Sequence, residues 1–130
     1  MTLNQIILII GLPGSGKTYL ANQLNKNKEY IVVDDITSLS QLPQEGNIII
    51  CDVNFCDDRI LKIAIDKLFS MYPKHNIRCI YFENNSEVAS QNVKNRNDGR
   101  NVEGTIRRFE KIYNPPKNAL KIFETKQELK

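Results

Sequence analysis

The sequence predicts one α/β domain in which helices cover both faces of a five-stranded parallel sheet, a three-layer sandwich. Three observations lead there. Short apolar runs alternate with helical patterns along the chain. The first four runs are nearly continuous in Ile, Val and aromatics, as in strands buried on both faces. A glycine-rich loop then joins the first strand to the first helix. With 130 residues, 41% hydrophobic and 25% charged, the chain suits one domain with its own core, residues 1–130, and has no room for a second catalytic domain. The same proportions exclude disordered, collagen-like and disulfide-scaffold classes.

The elements follow in order. Residues 5–10 form the first strand, and 17–25 a helix with Leu20, Ala21 and Leu24 on one face. Residues 30–33 and 47–51 are the second and third strands, joined by a connection with room for about two helical turns. A helix over 58–72 starts at the N-cap Asp57 and buries Leu61, Ile65, Leu68 and Tyr72. Residues 77–82 form the fourth strand, and 86–95 a short polar helix. Residues 102–113 place Val102, Ile106, Phe109 and Tyr113 at helical spacing until Pro115 and Pro116 stop the helix. A weak fifth strand lies at 120–123. Strand–helix alternation of this kind implies right-handed crossovers.

The net charge of +3, with pI near 8.8, is a mild bias unevenly spread. Residues 1–65 carry 5 basic and 7 acidic side chains, whereas residues 66–130 carry 13 and 8. The positive half is where a phosphate-bearing ligand would meet favourable charge. Cys51, Cys56 and Cys79 are an odd set without a paired framework, which reads as reduced and intracellular, with Cys51 and Cys79 as small core residues. The lone His75 reads as a loop residue, and without a second histidine or CxxC spacing a zinc site is not expected. No apolar run approaches the roughly 20 residues of a membrane span, and no basic region precedes the first strand. A cytoplasmic location without membrane attachment is expected.

One motif decides the class. Gly11-Leu12-Pro13-Gly14-Ser15-Gly16-Lys17-Thr18 fits G-x-x-x-x-G-K-[ST], the Walker A form of a P-loop, between a strand and an amphipathic helix. Gly11, Gly14 and Gly16 would let the backbone adopt positive φ and turn N–H groups onto phosphate oxygens. The following helix adds its positive end. Lys17 would reach the β/γ-phosphates, and the Thr18 hydroxyl would ligate Mg²⁺. Pro13, Ser15 and the adjoining Tyr19 complete the expected nucleotide-binding set.

The reaction must come from groups at the carboxyl ends of the other strands. Asp34 and Asp35 follow the second strand; Asp52 and Asn54 follow the third. One carboxylate would take a proton from an acceptor hydroxyl and another would hold Mg²⁺ or its waters, while one of the Asp34/Asp35 pair would cap the next helix. Arg96 and Arg100 lie four apart in a glycine-containing segment that reads as a short lid over about 92–104, where guanidinium groups would meet the transferring phosphoryl. Arg107, Arg108 and Lys111 read as surface charge.

These residues resemble the P-loop kinases, and within them the kinase domain of bacteriophage-type polynucleotide 5′-hydroxyl kinase. The similarity runs through Ile6–Thr18, Asp34-Asp35, Cys51-Asp52-Val53-Asn54-Phe55 and Arg96–Arg100 with Asn101-Val102. The resemblance implies the kinase-like strand order 2-3-1-4-5. It also implies Asp34 as general base, Asp52 as an active-site carboxylate that is also a metal ligand with Thr18, and Arg100 on the donor phosphates with Arg96 in support. Two departures stand out. Thr37 occupies the position of an arginine that in the family contacts the acceptor phosphate, and only about a dozen residues separate Asp35 from the third strand, where the family has a long helical insert. The ATP half is complete and the acceptor half is pared down.

The expected function is therefore an ATP- and Mg²⁺-dependent kinase with a reduced acceptor site. Its acceptor would be a polynucleotide 5′-hydroxyl or a small molecule such as a nucleoside or nucleotide. The alternative is a non-catalytic ATP-binding accessory or switch module. A motor ATPase would need a helical subdomain for which the chain has no room.

Overall fold

The computed structural model describes residues 4–34, 42–43, 45–96 and 102–122. Its elements are β1 (Gln5–Ile10), α1 (Lys17–Leu24), β2 (Tyr30–Asp34), β3 (Asn47–Cys51), α2 (Asp58–Met71), β4 (Asn76–Tyr81), α3 (Ser86–Arg96) and α4 (Glu103–Glu110). A 3-10 turn, Val53–Cys56, separates β3 from α2. The strands form a parallel sheet in the order β2-β3-β1-β4. β1 is central: Ile7 pairs with Ile49 on one side and Arg78 on the other. Its residues Ile6 to Ile10 are buried, as are Ile48, Ile49 and Ile50 of β3. α1 leads back to β2 and α2 across to β4, in opposite directions along the sheet, so crossovers of the usual right hand would set the two helices on opposite faces.

Two expectations are corrected. β2 is not buried on both faces: Ile31 is 49% and Val32 37% exposed. It is an edge strand, and burial there depends on position in the sheet, which local apolarity does not encode. Among the described residues the sheet also has four strands, not five. At the expected fifth position Leu120 makes an isolated parallel bridge to Phe82, donating to the Tyr81 carbonyl and accepting from the Glu83 N–H. Among the described residues the ladder goes no further: the Ile122 N–H is taken by the Glu83 side-chain carboxylate at 2.8 Å, where a backbone carbonyl would have continued it. Residue 123 of that expected strand lies outside the described residues.

Helix α2 starts as its sequence requires, with the Asp57 carboxylate accepting from the Arg59 N–H at 3.0 Å. Leu61, Leu68 and Tyr72 face the core, with Ile65 packed against it. Ile106, Phe109 and Tyr113 do the same for α4 and the turn after it. His75 is less superficial than expected: its Nε2 lies 2.9 Å from the Gly46 carbonyl, and its ring meets Tyr72 edge-on. No helix among the described residues is long and apolar enough to cross a membrane.

Candidate functional site

The loop between β1 and α1 lies at the carboxyl end of the central strand, where open α/β sheets bind ligands. Gly14 and Gly16 have φ of +85° and +105°, conformations costly to any residue with a Cβ. Gly11 does not share this; it is needed for space, since a Cβ there would stand 2.4 Å from Ser15 Oγ. The loop closes on itself through the Ser15 N–H, which donates to the Leu12 carbonyl at 3.1 Å. Lys17 Nζ donates to the Gly11 and Leu12 carbonyls at 2.8 and 3.0 Å, so the ammonium is held at the loop. No side chain among the described residues caps α1, and its first turn contains no acid, which leaves the positive end of the helix open to an anion. Pro13 is half-buried in the loop and Tyr19 stands exposed on α1. The buried Ser15 hydroxyl lies against Gly11 and has no hydrogen-bond partner among the described residues.

Asp34 and Asp52 stand at the carboxyl ends of β2 and β3, the end of the parallel sheet at which this loop lies. Asp34 ends β2, and its Oδ2 accepts from Thr18 Oγ1 at 3.3 Å. The candidate base and the candidate metal-binding hydroxyl are thus in contact. Asp52 follows β3, is 4% exposed, and caps the 3-10 turn, its Oδ1 accepting from the Asn54 N–H at 2.9 Å. Cys51, just before it, places its thiol 4.0 Å from the Lys17 carbonyl. Cys56 lies beneath: burial pushes its thiol up to about 12, while the Lys17 charge and the Gly11 backbone pull the other way and the Asp52 charge adds to the rise.

A magnesium ion fits this donor set. It retains waters and phosphate oxygens and takes one or two protein ligands, here a hydroxyl and a carboxylate. Among the described residues there is no cluster of three His, Cys, Asp or Glu side chains suited to a metal held by protein alone.

The opposite side of the loop is built by α3. Asn92 Nδ2 donates to the Gly14 carbonyl at 2.9 Å. A Cβ on Gly14 would meet the Ala89 carbonyl at 2.2 Å. Arg96 is exposed at the end of this helix. Arg100, Asp35, Thr37 and the centre of the expected lid, residues 97–101, lie outside the described residues. Beneath the loop the Tyr113 hydroxyl donates to the Ile10 carbonyl at 3.2 Å and to the Phe82 carbonyl, joining the ends of β1 and β4. Burial raises the affinity of that phenol for its proton.

Sequence reasoning placed Tyr113 in the core but did not foresee its hydroxyl's role, and it missed Asn92 altogether. A signal for Asn92 exists: it is a polar residue on the same helical stripe as Ala89 and Val93.

No protein-family model matches the chain. A curated protein of Acanthamoeba polyphaga mimivirus, itself described as uncharacterized, is 36% identical over 104 residues, covering 74% of this chain and 75% of the viral protein. Among solved structures, that of a fungal RNA kinase is similar with a TM-score of 0.61 and 17% identity, over 98% of this chain and 78% of that one. At that identity the likeness establishes a kinase-like α/β fold. The chain belongs to the family of the mimivirus protein.

Proposed function

We propose that this member of the mimivirus protein's family is an ATP-binding P-loop kinase of one domain, polynucleotide-kinase-like in its donor site and reduced in its acceptor site. The observation that carries the reading is the contact between Thr18 and Asp34. It brings the carboxylate after β2 to the first turn of the phosphate-loop helix, where an acceptor proton would be removed.

In this reading the loop N–H groups and Lys17 hold the donor phosphates, and the open end of α1 favours their charge. Magnesium, when bound, neutralises donor charge; Thr18 and, through water, Asp52 are the residues to hold it. Asp34 accepts the proton of the acceptor hydroxyl as that oxygen bonds to the γ-phosphorus. The bond to the bridging oxygen breaks and ADP departs. Arg96 and Arg100, in a short lid over about 92–104, supply cationic charge to the transferring group. The acceptor is a polynucleotide 5′-hydroxyl, RNA being suggested by the fungal RNA kinase that shares the fold, or a nucleoside or nucleotide. In this reading the chain is a magnesium-dependent transferase, and its cysteines, free among the described residues, favour a cytoplasmic location.

The test is transfer of label from γ-labelled ATP to 5′-hydroxyl RNA, 5′-hydroxyl DNA and nucleosides, each with wild type and Asp34→Asn. Transfer that Asp34→Asn abolishes supports the reading. ATP binding without transfer to any acceptor supports a nucleotide-binding module instead, a reading favoured by the short connection between β2 and β3.

A further inference from the structure

Helix α3 meets the phosphate loop along one stripe. Ala89, Asn92, Val93 and Arg96 fall within about 100° of helical arc. Three of the four touch or crowd the same loop residue. The Ala89 carbonyl and Val93 Cγ2 are the atoms that a Cβ on Gly14 would meet, at 2.2 and 2.9 Å, and Asn92 Nδ2 bonds the Gly14 carbonyl. Asn92 is 5% exposed. An amide so deeply buried is costly unless hydrogen-bonded, and an apolar residue would have packed there without that requirement.

What Asn92 holds is a peptide with two alternatives. Gly14 lacks a Cβ and has φ of +85°, so little in the residue itself prevents the Gly14–Ser15 peptide from turning over. The structure fixes that peptide at both ends: Ser15 N–H on the Leu12 carbonyl, Gly14 carbonyl on Asn92. With the carbonyl committed to α3, its negative end is kept off an anion seated in the loop. A turned peptide would point its carbonyl oxygen where the Ser15 N–H now points, at the Leu12 carbonyl, and the loop would lose the shape that receives phosphate.

We propose that Asn92 is a positioning residue for the nucleotide: its side chain fixes the orientation of the Gly14–Ser15 peptide and thereby the affinity of the loop for the donor's phosphates. This rests on the P-loop kinase reading. Asn92 need not touch the nucleotide. Its action passes through the Gly14 carbonyl, and the chemistry it selects for is that of a di- or triphosphate, since both present a β-phosphate to the loop.

The test uses the full chain with Asn92→Leu, which keeps the volume and removes the donor, and Asn92→Asp, which sets a carboxylate against the Gly14 carbonyl. Mg-ADP and Mg-ATP affinities are measured by calorimetry, with urea unfolding in the absence of nucleotide. Asn92→Leu is expected to weaken both nucleotides about five- to tenfold, the worth of one buried hydrogen bond, and Asn92→Asp to weaken them further. KM for ATP should rise more than kcat falls. If Leu prevents folding, the near-isosteric Asp variant carries the test. Variants that lower the urea midpoint yet bind nucleotide as wild type does would reduce Asn92 to a structural contact and overturn the inference alone. A wild-type chain that binds neither nucleotide would overturn the P-loop reading and this inference with it.

Discussion

Gly14→Ala should destabilise the protein more than Gly16→Ala, although both residues have positive φ. At Gly16 the added methyl finds space: its nearest neighbour is Phe82 Cζ at 3.8 Å. The cost there is the left-handed conformation alone, about 1–2 kcal/mol. At Gly14 the same conformational cost applies, and the methyl also stands 2.2 Å from the Ala89 carbonyl oxygen, well inside the 3.4 Å where ordinary contact begins. That oxygen belongs to the backbone of α3 and has no rotamer to escape into. Either α3 or the loop must move, and overpacking of this kind costs about 1–3 kcal/mol more. The expected losses are roughly 2–5 kcal/mol for Gly14→Ala and about 1–2 kcal/mol for Gly16→Ala. Urea unfolding without nucleotide measures both, provided the slopes agree with wild type. Because the displaced groups include Asn92, Gly14→Ala should also weaken Mg-ADP binding. An equal or larger loss from Gly16→Ala would show that α3 does not press on the loop, and the reasoning would fail.

Three further outcomes are expected. Lys17→Ala should abolish Mg-ATP binding or leave it without turnover, because the loop loses its cation; calorimetry showing unchanged affinity, with an unchanged rate, would refute this. Asp34→Asn should slow phosphoryl transfer by about 10²–10⁴ while ADP affinity stays near wild type, since an asparagine oxygen still accepts from Thr18 but removes no proton; single-turnover kinetics read the difference, and a larger loss from Asp35→Asn would reassign the base. Tyr113→Phe should lower unfolding free energy by about 1–3 kcal/mol, because the Ile10 and Phe82 carbonyls lose a buried donor; a urea midpoint equal to wild type would refute it.

Legibility followed sequence distance. β1 and β3 were readable to the residue because each is an isoleucine run bounded by a loop signal: glycine after Ile10, and Gly46 and Asp52 around β3. The form of the β1–α1 loop was readable because its parts are contiguous: Gly14 and Gly16 take the expected positive φ, while Gly11 is held to glycine by space instead. Asn92 was not, because its partner, the Gly14 carbonyl, is 78 residues away and an asparagine in a polar helix looks like surface. The exposure of β2 was hidden for a related reason: Tyr30 to Val33 are apolar enough for a central strand, and only the sheet order makes them an edge. The fifth strand failed over one side chain. Glu83 offers a carboxylate where the ladder needed a carbonyl, and an expectation drawn from the 120–123 run alone carries no information about residue 83.

The two halves of the site differ in how firmly they are held, and this bears on where specificity arises. The loop is tied from separate directions: to α3 through Asn92, to the end of β4 through Tyr113 on Ile10, and within itself through Ser15 on Leu12. A loop fixed in this way needs little rearrangement to receive phosphates, so binding loses little to ordering. Asp34 is placed otherwise. It closes an exposed edge strand, and its hydrogen bond to Thr18 is exposed and 3.3 Å long. Such a bond positions a carboxylate weakly, because water competes for both partners. In the proposed kinase the donor site would therefore be formed in advance, whereas the acceptor side would gain precision only when the acceptor itself excludes water and orders Asp34. Changes around β2 should then alter turnover and the choice of acceptor while leaving nucleotide affinity nearly unchanged. Changes on α3 should do the reverse.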